Sequence, residues 1–160
     1  MVVIVMGVSG SGKTTVGSLL ARRLGWSFYD ADDFHPPANK EKMTRGIPLS
    51  DEDRVDWLSS LRHSVEREIV SNHSAVFACS ALKEVYRERL QVTDQVKFVF
   101  LRGTYEQIET RMNERAHHFM KPNMLRSQFE ILEEPADVIS VDITAPPDEI
   151  VKSICKELNL

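Results

Sequence analysis

Short apolar runs recur along the chain, and between them apolar residues return every three or four positions. The runs are Val2 to Met6, Trp26 to Asp30, Ala75 to Cys79, Lys97 to Leu101 and Asp137 to Asp142; their length and their β-branched and aromatic content predict short buried strands. Val16, Leu19, Leu20 and Leu24 fall at helical spacing, as do Val55, Leu58, Leu61, Val65 and Ile69, and then Ile150, Val151, Ile154, Cys155 and Leu158. Each set makes one apolar stripe, which reads as a surface that packs on a sheet. Alternation of strand and helix from end to end predicts βαβ units and an α/β fold: a five-stranded parallel sheet with helices on both faces. No repeat, low-complexity tract or Gly-, Ser- or Pro-rich linker marks a boundary, so residues 1–160 read as one domain.

Two segments break the rhythm. Residues 31–53 mix Asp, His, Pro, Asn, Lys and Arg with few large apolar side chains, and residues 114–124 carry Arg115, His117, His118, Lys121 and Pro122. Polar excursions at the strand ends of an α/β sheet are where ligands bind.

Composition narrows the class. A chain of 160 residues with 42% hydrophobic content can bury a core without staples. Cys79 and Cys155 are too few for a disulfide framework and stand in no CxxC or Cys/His cluster, which points to a reducing, cytoplasmic setting. The opening apolar run is too short for a signal peptide or a membrane span. With 24 acidic against 20 basic residues and a net charge of −4, no global field favours nucleic acid or a membrane surface. An anionic ligand has to be captured locally.

Gly7-Val8-Ser9-Gly10-Ser11-Gly12-Lys13-Thr14 fits G-x-x-x-x-G-K-[ST], follows an apolar run and opens an amphipathic segment. The pattern predicts a P-loop. Glycines let backbone N–H groups wrap a phosphate, and a helix start adds its partial positive charge. Lys13 is then the candidate for the β- and γ-phosphates, the Thr14 hydroxyl for Mg²⁺, and Thr15 for a further nucleotide contact. The competing reading is a Gly/Ser turn without a ligand. A switch GTPase is disfavoured: no aspartate is followed by xxG, and Asn39-Lys40-Glu41-Lys42 ends in lysine where a base-reading motif needs aspartate. Acids gather instead after the second run, at Asp30, Asp32 and Asp33. A carboxylate there can orient an acceptor hydroxyl and take its proton during phosphoryl transfer, and Asp32 is the candidate. The alternative is a solvated turn or a helix cap. His35, before Pro36-Pro37, is either a ligand or a backbone partner in that turn.

Asp30-Ala31-Asp32-Asp33-Phe34-His35-Pro36, Asn39, Lys42-Met43, Gly46-Ile47-Pro48-Leu49, Asp51-Glu52-Asp53-Arg54 and Trp57-Leu58 together resemble the gluconate kinases. Cys79-Ser80-Ala81-Leu82-Lys83, Tyr86-Arg87, Arg111, Arg115, His118-Phe119-Met120, Ser127-Gln128-Phe129 and Leu132-Glu133-Glu134-Pro135 extend the likeness in the family's order over nearly the whole chain. The resemblance implies a three-layer P-loop fold of the nucleoside-monophosphate-kinase type with a short lid. It also implies ATP- and Mg²⁺-dependent phosphorylation of D-gluconate to 6-phosphogluconate, usually by a homodimer. Residues 31–53 become the substrate-binding excursion and residues 114–124 the lid.

Gluconate needs a cation for its carboxylate and polar groups for its hydroxyls. Arg54 and Arg87 are the candidates for the carboxylate, each with an ion pair to a nearby acid as the alternative, and Gln128 joins His35 and Asp32 as a substrate contact. Arg111 and Arg115 stand four apart and share a helical face; in related kinases such a pair covers the nucleotide, one near the adenine and one near the transferring phosphoryl. Salt bridges to Glu109 or Glu114 are the alternative for both. Trp26 and Trp57 read as core aromatics. The chain departs from the family at Ala31 and His117, where glycine is usual, and at the extra Lys121. Two other readings stay open: a kinase of the same fold for another small hydroxyl compound such as shikimate or a nucleoside, and a nucleotide-dependent regulatory protein without turnover. Asp32 with the two arginines favours an enzyme.

Overall fold

The computed structural model describes residues 1–114 and 122–160; the expectations for Arg115, His117, His118 and Lys121, and most of the 114–124 lid, fall outside them. In chain order come β1 (Val2–Met6), α1 (Lys13–Leu24), β2 (Ser27–Asp30), a 3₁₀ turn (Ala31–Phe34), α2 (Pro37–Thr44), α3 (Asp51–Val70), β3 (Ala75–Ala78) and α4 (Glu84–Leu90). They are followed by β4 (Val96–Arg102), α5 (Tyr105–Glu114), α6 (Pro122–Ile131), β5 (Ile139–Asp142) and α7 (Pro147–Leu158). The strands form one parallel sheet in the order β2-β3-β1-β4-β5.

Every residue of β1 is buried, as a central parallel strand covered on both faces must be. Its side chains alternate between two cores. Val3 and Val5 join Leu20 of α1, Ile108 of α5, Leu125 of α6 and Ile154 of α7. Val2, Ile4 and Met6 join Trp57, Leu61 and Val65 of α3 and Leu90 of α4. Helices therefore cover both faces and the fold has three layers. One stripe needs correction: Val55 is 48% exposed, and the buried face of α3 runs instead through Trp57, Leu58, Leu61 and Val65.

The 31–53 excursion is more regular than its composition suggests. Pro37 occupies the first turn of α2, where a missing N–H costs nothing. Ser50 and Asp53 form a capping box that starts α3. Asp53 also pairs with Lys42 at 2.9 Å, and its backbone oxygen accepts from Asn39 Nδ2 at 2.7 Å, tying α2 to α3. The bond from Ser50 N–H, then Lys42, holds the Asp53 carboxyl down at about 2. Trp57 Nε1 donates to Ala31 O at 2.7 Å and seats the 3₁₀ turn on α3. Ala31 itself has no positive φ, so glycine is not required there.

Arg87 corrects a second expectation. It is 8% exposed, and its guanidinium donates to Ala81 O at 2.8 Å, Leu82 O at 3.1 Å and Glu133 O at 2.9 Å. Those bonds fasten the β3–α4 loop to the segment after α6 and take up three of the five guanidinium N–H groups, and Arg87 is not among the residues that line the cleft around Lys13 and Asp32. Neither Glu84 nor Glu88 is its partner. Arg87→Met should leave these carbonyls unsatisfied and cost about 2–4 kcal/mol, lowering the melting temperature by roughly 5–15 °C. A thermal melt checks this; an unchanged melting temperature would contradict the strut assignment.

Candidate active site

The site lies at the carboxyl ends of β1, β2 and β3, where open α/β sheets bind ligands. After Met6 the chain turns sharply around residues 7–12. A Cβ on Gly7 would stand 2.8 Å from Ser11 Oγ and 3.0 Å from Leu101 O, so the position admits no side chain. Gly12 caps α1 with φ 98, a left-handed conformation suited to glycine. No side chain caps this helix and no acid lies in its first turn, so its N–H groups and partial positive charge face the loop uncompensated. Ser11 Oγ is buried without a hydrogen-bond partner among the described residues. Lys13 Nζ rests on Val8 O at 2.8 Å, inside the loop's own curl. Burial pushes the Lys13 pKa down, opposed by Asp32, Cys79 and Asp30. The result is a cradle of donors with one resident cation, which can hold a polyphosphate.

Two acids leave β2 with different tasks. Asp30 Oδ2 accepts from Thr14 Oγ1 at 2.9 Å and its Oδ1 accepts from Asp32 N–H at 3.0 Å. One carboxylate thus joins the start of α1 to the 3₁₀ turn. The donated proton leaves the Thr14 oxygen lone pairs available to a metal ion. The Asp32 carboxylate makes no hydrogen bond among the described residues and lines a cleft with Lys13, His35, Arg54, Trp57 and Gln128. Although Asp32 is exposed, the cleft walls raise its pKa by desolvation against the opposing pull of Lys13, with Asp30 and Asp33 adding to the rise. A carboxylate with raised pKa is a better proton acceptor.

His35 is buried and stacks on Trp57 at 4.6 Å between ring centroids, 12° from parallel. Trp57 is therefore both core and cleft wall. Arg54, on α3, lies 5.6 Å over the Tyr86 ring and donates to its hydroxyl at 3.3 Å. Its neighbouring acids are engaged elsewhere: Asp51 accepts from Lys83 at 2.9 Å and from the Tyr86 hydroxyl, and Asp53 holds Lys42. Among the described residues Arg54 has no carboxylate partner, so its charge is available to the cleft. Gln128 reaches back from α6, its Oε1 accepting from Ser9 N–H at 2.6 Å. Arg111 is half-buried and donates to Ile143 O, with no salt bridge to Glu109 or Glu114. Thr15 is exposed beside the loop. Ser80, Leu82, Met124 and Ser127 also line the wall; Ser80, Leu82 and Ser127 stand in blocks that carry the family resemblance without a role of their own, whereas no local pattern marks Met124, which only the topology brings here.

The family model for shikimate kinase matches residues 9–159. The thermosensitive gluconokinase of Escherichia coli (strain K12) is 47% identical over 88% of this chain and 78% of its own. A gluconokinase from Sinorhizobium meliloti 1021 of known crystal structure superimposes with a TM-score of 0.86 at 38% identity, covering 98% of this chain and 94% of the other. Shikimate kinase from Aquifex aeolicus shares the fold, with a TM-score of 0.71 at 23% identity over 99% and 96% of the two chains. With identity of this order covering most of the chain, and the P-loop, strand-end acids and cleft described above, the chain belongs to the gluconokinase family of P-loop kinases.

Proposed function

We infer that the protein transfers the γ-phosphoryl of ATP to the terminal hydroxyl of D-gluconate, yielding 6-phospho-D-gluconate. The observation that carries the reading is the meeting of two half-sites. An uncompensated anion cradle and a polar cleft share Lys13, and Asp32 with its raised pKa lines the cleft beside it.

In this reading the P-loop from Gly7 to Thr15 takes the phosphates, and Lys13 compensates charge on the transferring group. The donor set fits a magnesium nucleotide: a hydroxyl and a strand-end carboxylate, few protein ligands for an ion that keeps phosphate and water oxygens. Bound Mg²⁺ would be held from Thr14 and would supply positive charge to offset that of the phosphates. Asp32 accepts the hydrogen bond of the attacking hydroxyl and eases loss of its proton. Arg54 meets the gluconate carboxylate, with His35 and Gln128 on the polyol. Arg111 covers the adenine side, and Arg115, which lies outside the described residues, is assigned to the phosphoryl group from the family resemblance. A homodimer comes from the same resemblance, and a cytoplasmic setting from the sparse cysteines. Gluconate is preferred to shikimate as acceptor because identity to gluconokinases is 47% and 38%, against 23% for the shikimate kinase structure.

A coupled ADP-release assay across gluconate, shikimate, glycerate and nucleosides tests the reading: turnover should appear with gluconate, and turnover confined to another acceptor would overturn it. Lys13→Ala should lower kcat on the order of 10²-fold or more with an unchanged melt. Asp32→Asn should lower kcat far more than it weakens ATP binding, and equal loss of both would reduce Asp32 to a structural acid. Arg115→Ala should depress kcat more than it raises the gluconate KM, because a contact to the transferring phosphoryl strengthens in the transition state.

A further inference from the structure

Asn39 lies on α2, 4% exposed, and its side-chain nitrogen has two neighbours. Asp53 O stands at 2.7 Å and His35 Nδ1 at 3.2 Å. A backbone carbonyl only accepts, so the Asn39 atom facing it is the amide nitrogen, with two hydrogens to give. The same nitrogen cannot accept, so the His35 Nδ1 it meets must be unprotonated. Neutral His35 then carries its proton on Nε2, which has no partner among the described protein groups. The ring plane is set by Trp57, stacked 4.6 Å away, and the residue lines the cleft with Asp32 and Arg54.

We propose that Asn39 is a positioning residue: it locks His35 as an Nε2–H donor that meets an oxygen lone pair of the sugar acid. The proposal rests on the gluconate reading above. It also gives the cleft a complementary pair. Asp32 can only accept from a hydroxyl, whereas His35 can only donate to an oxygen, so a polyol oxygen is oriented by sign as well as by shape. The groups around the ring are Lys13 on α1, Asp32 on the 3₁₀ turn, Lys40 on α2, and Asp53 and Arg54 on α3. Burial, with Arg54 and Lys40, takes the His35 pKa from 6.5 down to about 4, so the imidazole stays neutral at working pH. The folded pKa lies below the unfolded one. His35 therefore makes folding stability fall as pH drops from about 6.5 towards 4, where only the unfolded chain gains the proton.

Two-bond ¹H–¹⁵N correlation on histidine-labelled protein reads the tautomer without substrate, with His35 assigned from its loss in His35→Gln. The expected spectrum shows Nδ1 bare and Nε2 protonated, unchanged from pH 8 to about pH 5. An Nδ1–H signal, or titration of His35 near pH 6.5, overturns the lock. In Asn39→Asp a carboxylate replaces the donor and can only accept, so the proton should move to Nδ1 or both nitrogens should be protonated. Where it moves to Nδ1, the gluconate KM should rise about tenfold or more while the ATP KM stays within a few-fold; a doubly protonated ring keeps its Nε2–H and should leave the gluconate KM within a few-fold of the parent. A switched tautomer with an unaltered gluconate KM overturns the substrate half of the proposal. His35→Gln, whose amide nitrogen can stand in for Nε2–H, should recover much of the gluconate affinity lost in His35→Leu; equal losses in the two count against a donor role. If gluconate is not the acceptor, the substrate panel shows it and the tautomer result still stands.

Discussion

The two oxygens of Asp30 hold the site together. One accepts from the Thr14 hydroxyl at the mouth of the phosphate cradle, and the other accepts from the N–H of Asp32 on the acceptor side. In-line phosphoryl transfer needs little covalent chemistry from a protein and a great deal of positioning. A carboxylate that spans from the start of α1 to the 3₁₀ turn supplies that registration in one step. It can do so because β2 and β1 flank β3 in one parallel sheet, so both strands release their chains at the same edge. Trp57, through its bond to Ala31 O, presses the same turn onto α3 from the other side.

Around this joint the charges divide by use. Lys42, Lys83 and Arg87 are engaged in structure: Lys42 on Asp53, Lys83 on Asp51, Arg87 on three backbone carbonyls. Lys13 and Arg54 have no carboxylate partner among the described residues and line the cleft. Asp51 and Asp53, just before Arg54 in sequence, are held by Lys83 and Lys42, which keeps them from quenching its guanidinium. A net-negative chain can therefore concentrate positive potential where an anionic substrate and a polyphosphate must meet.

Much of this could be read from the sequence. The buried strands announce themselves because parallel strands covered on both faces are continuous apolar runs, and the P-loop is a local device whose glycines are spaced by its own backbone. β5 was the least well bounded, Ile139–Asp142 against an expected start at Asp137, because it is an edge strand with every second residue exposed. α2 carries no apolar periodicity to read because it is short, polar and held by Asn39 and Lys42 to a later helix rather than by an apolar face of its own. Arg54 and Arg87 could not be told apart in advance: what distinguishes them is a carbonyl at Glu133, 46 residues beyond Arg87, and a pair of acids already spoken for. Asn39 stood within the motif, but its effect on the His35 proton needed two distances that no spacing rule contains.

The registration by Asp30 is most directly tested by the rate of phosphoryl transfer in a single turnover, with enzyme, MgATP and gluconate all bound before the step. For Asp30→Ala the account predicts a loss of tenfold or more in that rate, about 1.4 kcal/mol or more of barrier, with nucleotide affinity and the melting temperature little changed. A transfer rate within twofold of the parent would contradict it, since Thr14 and Asp32 would then keep their places without the carboxylate that joins them.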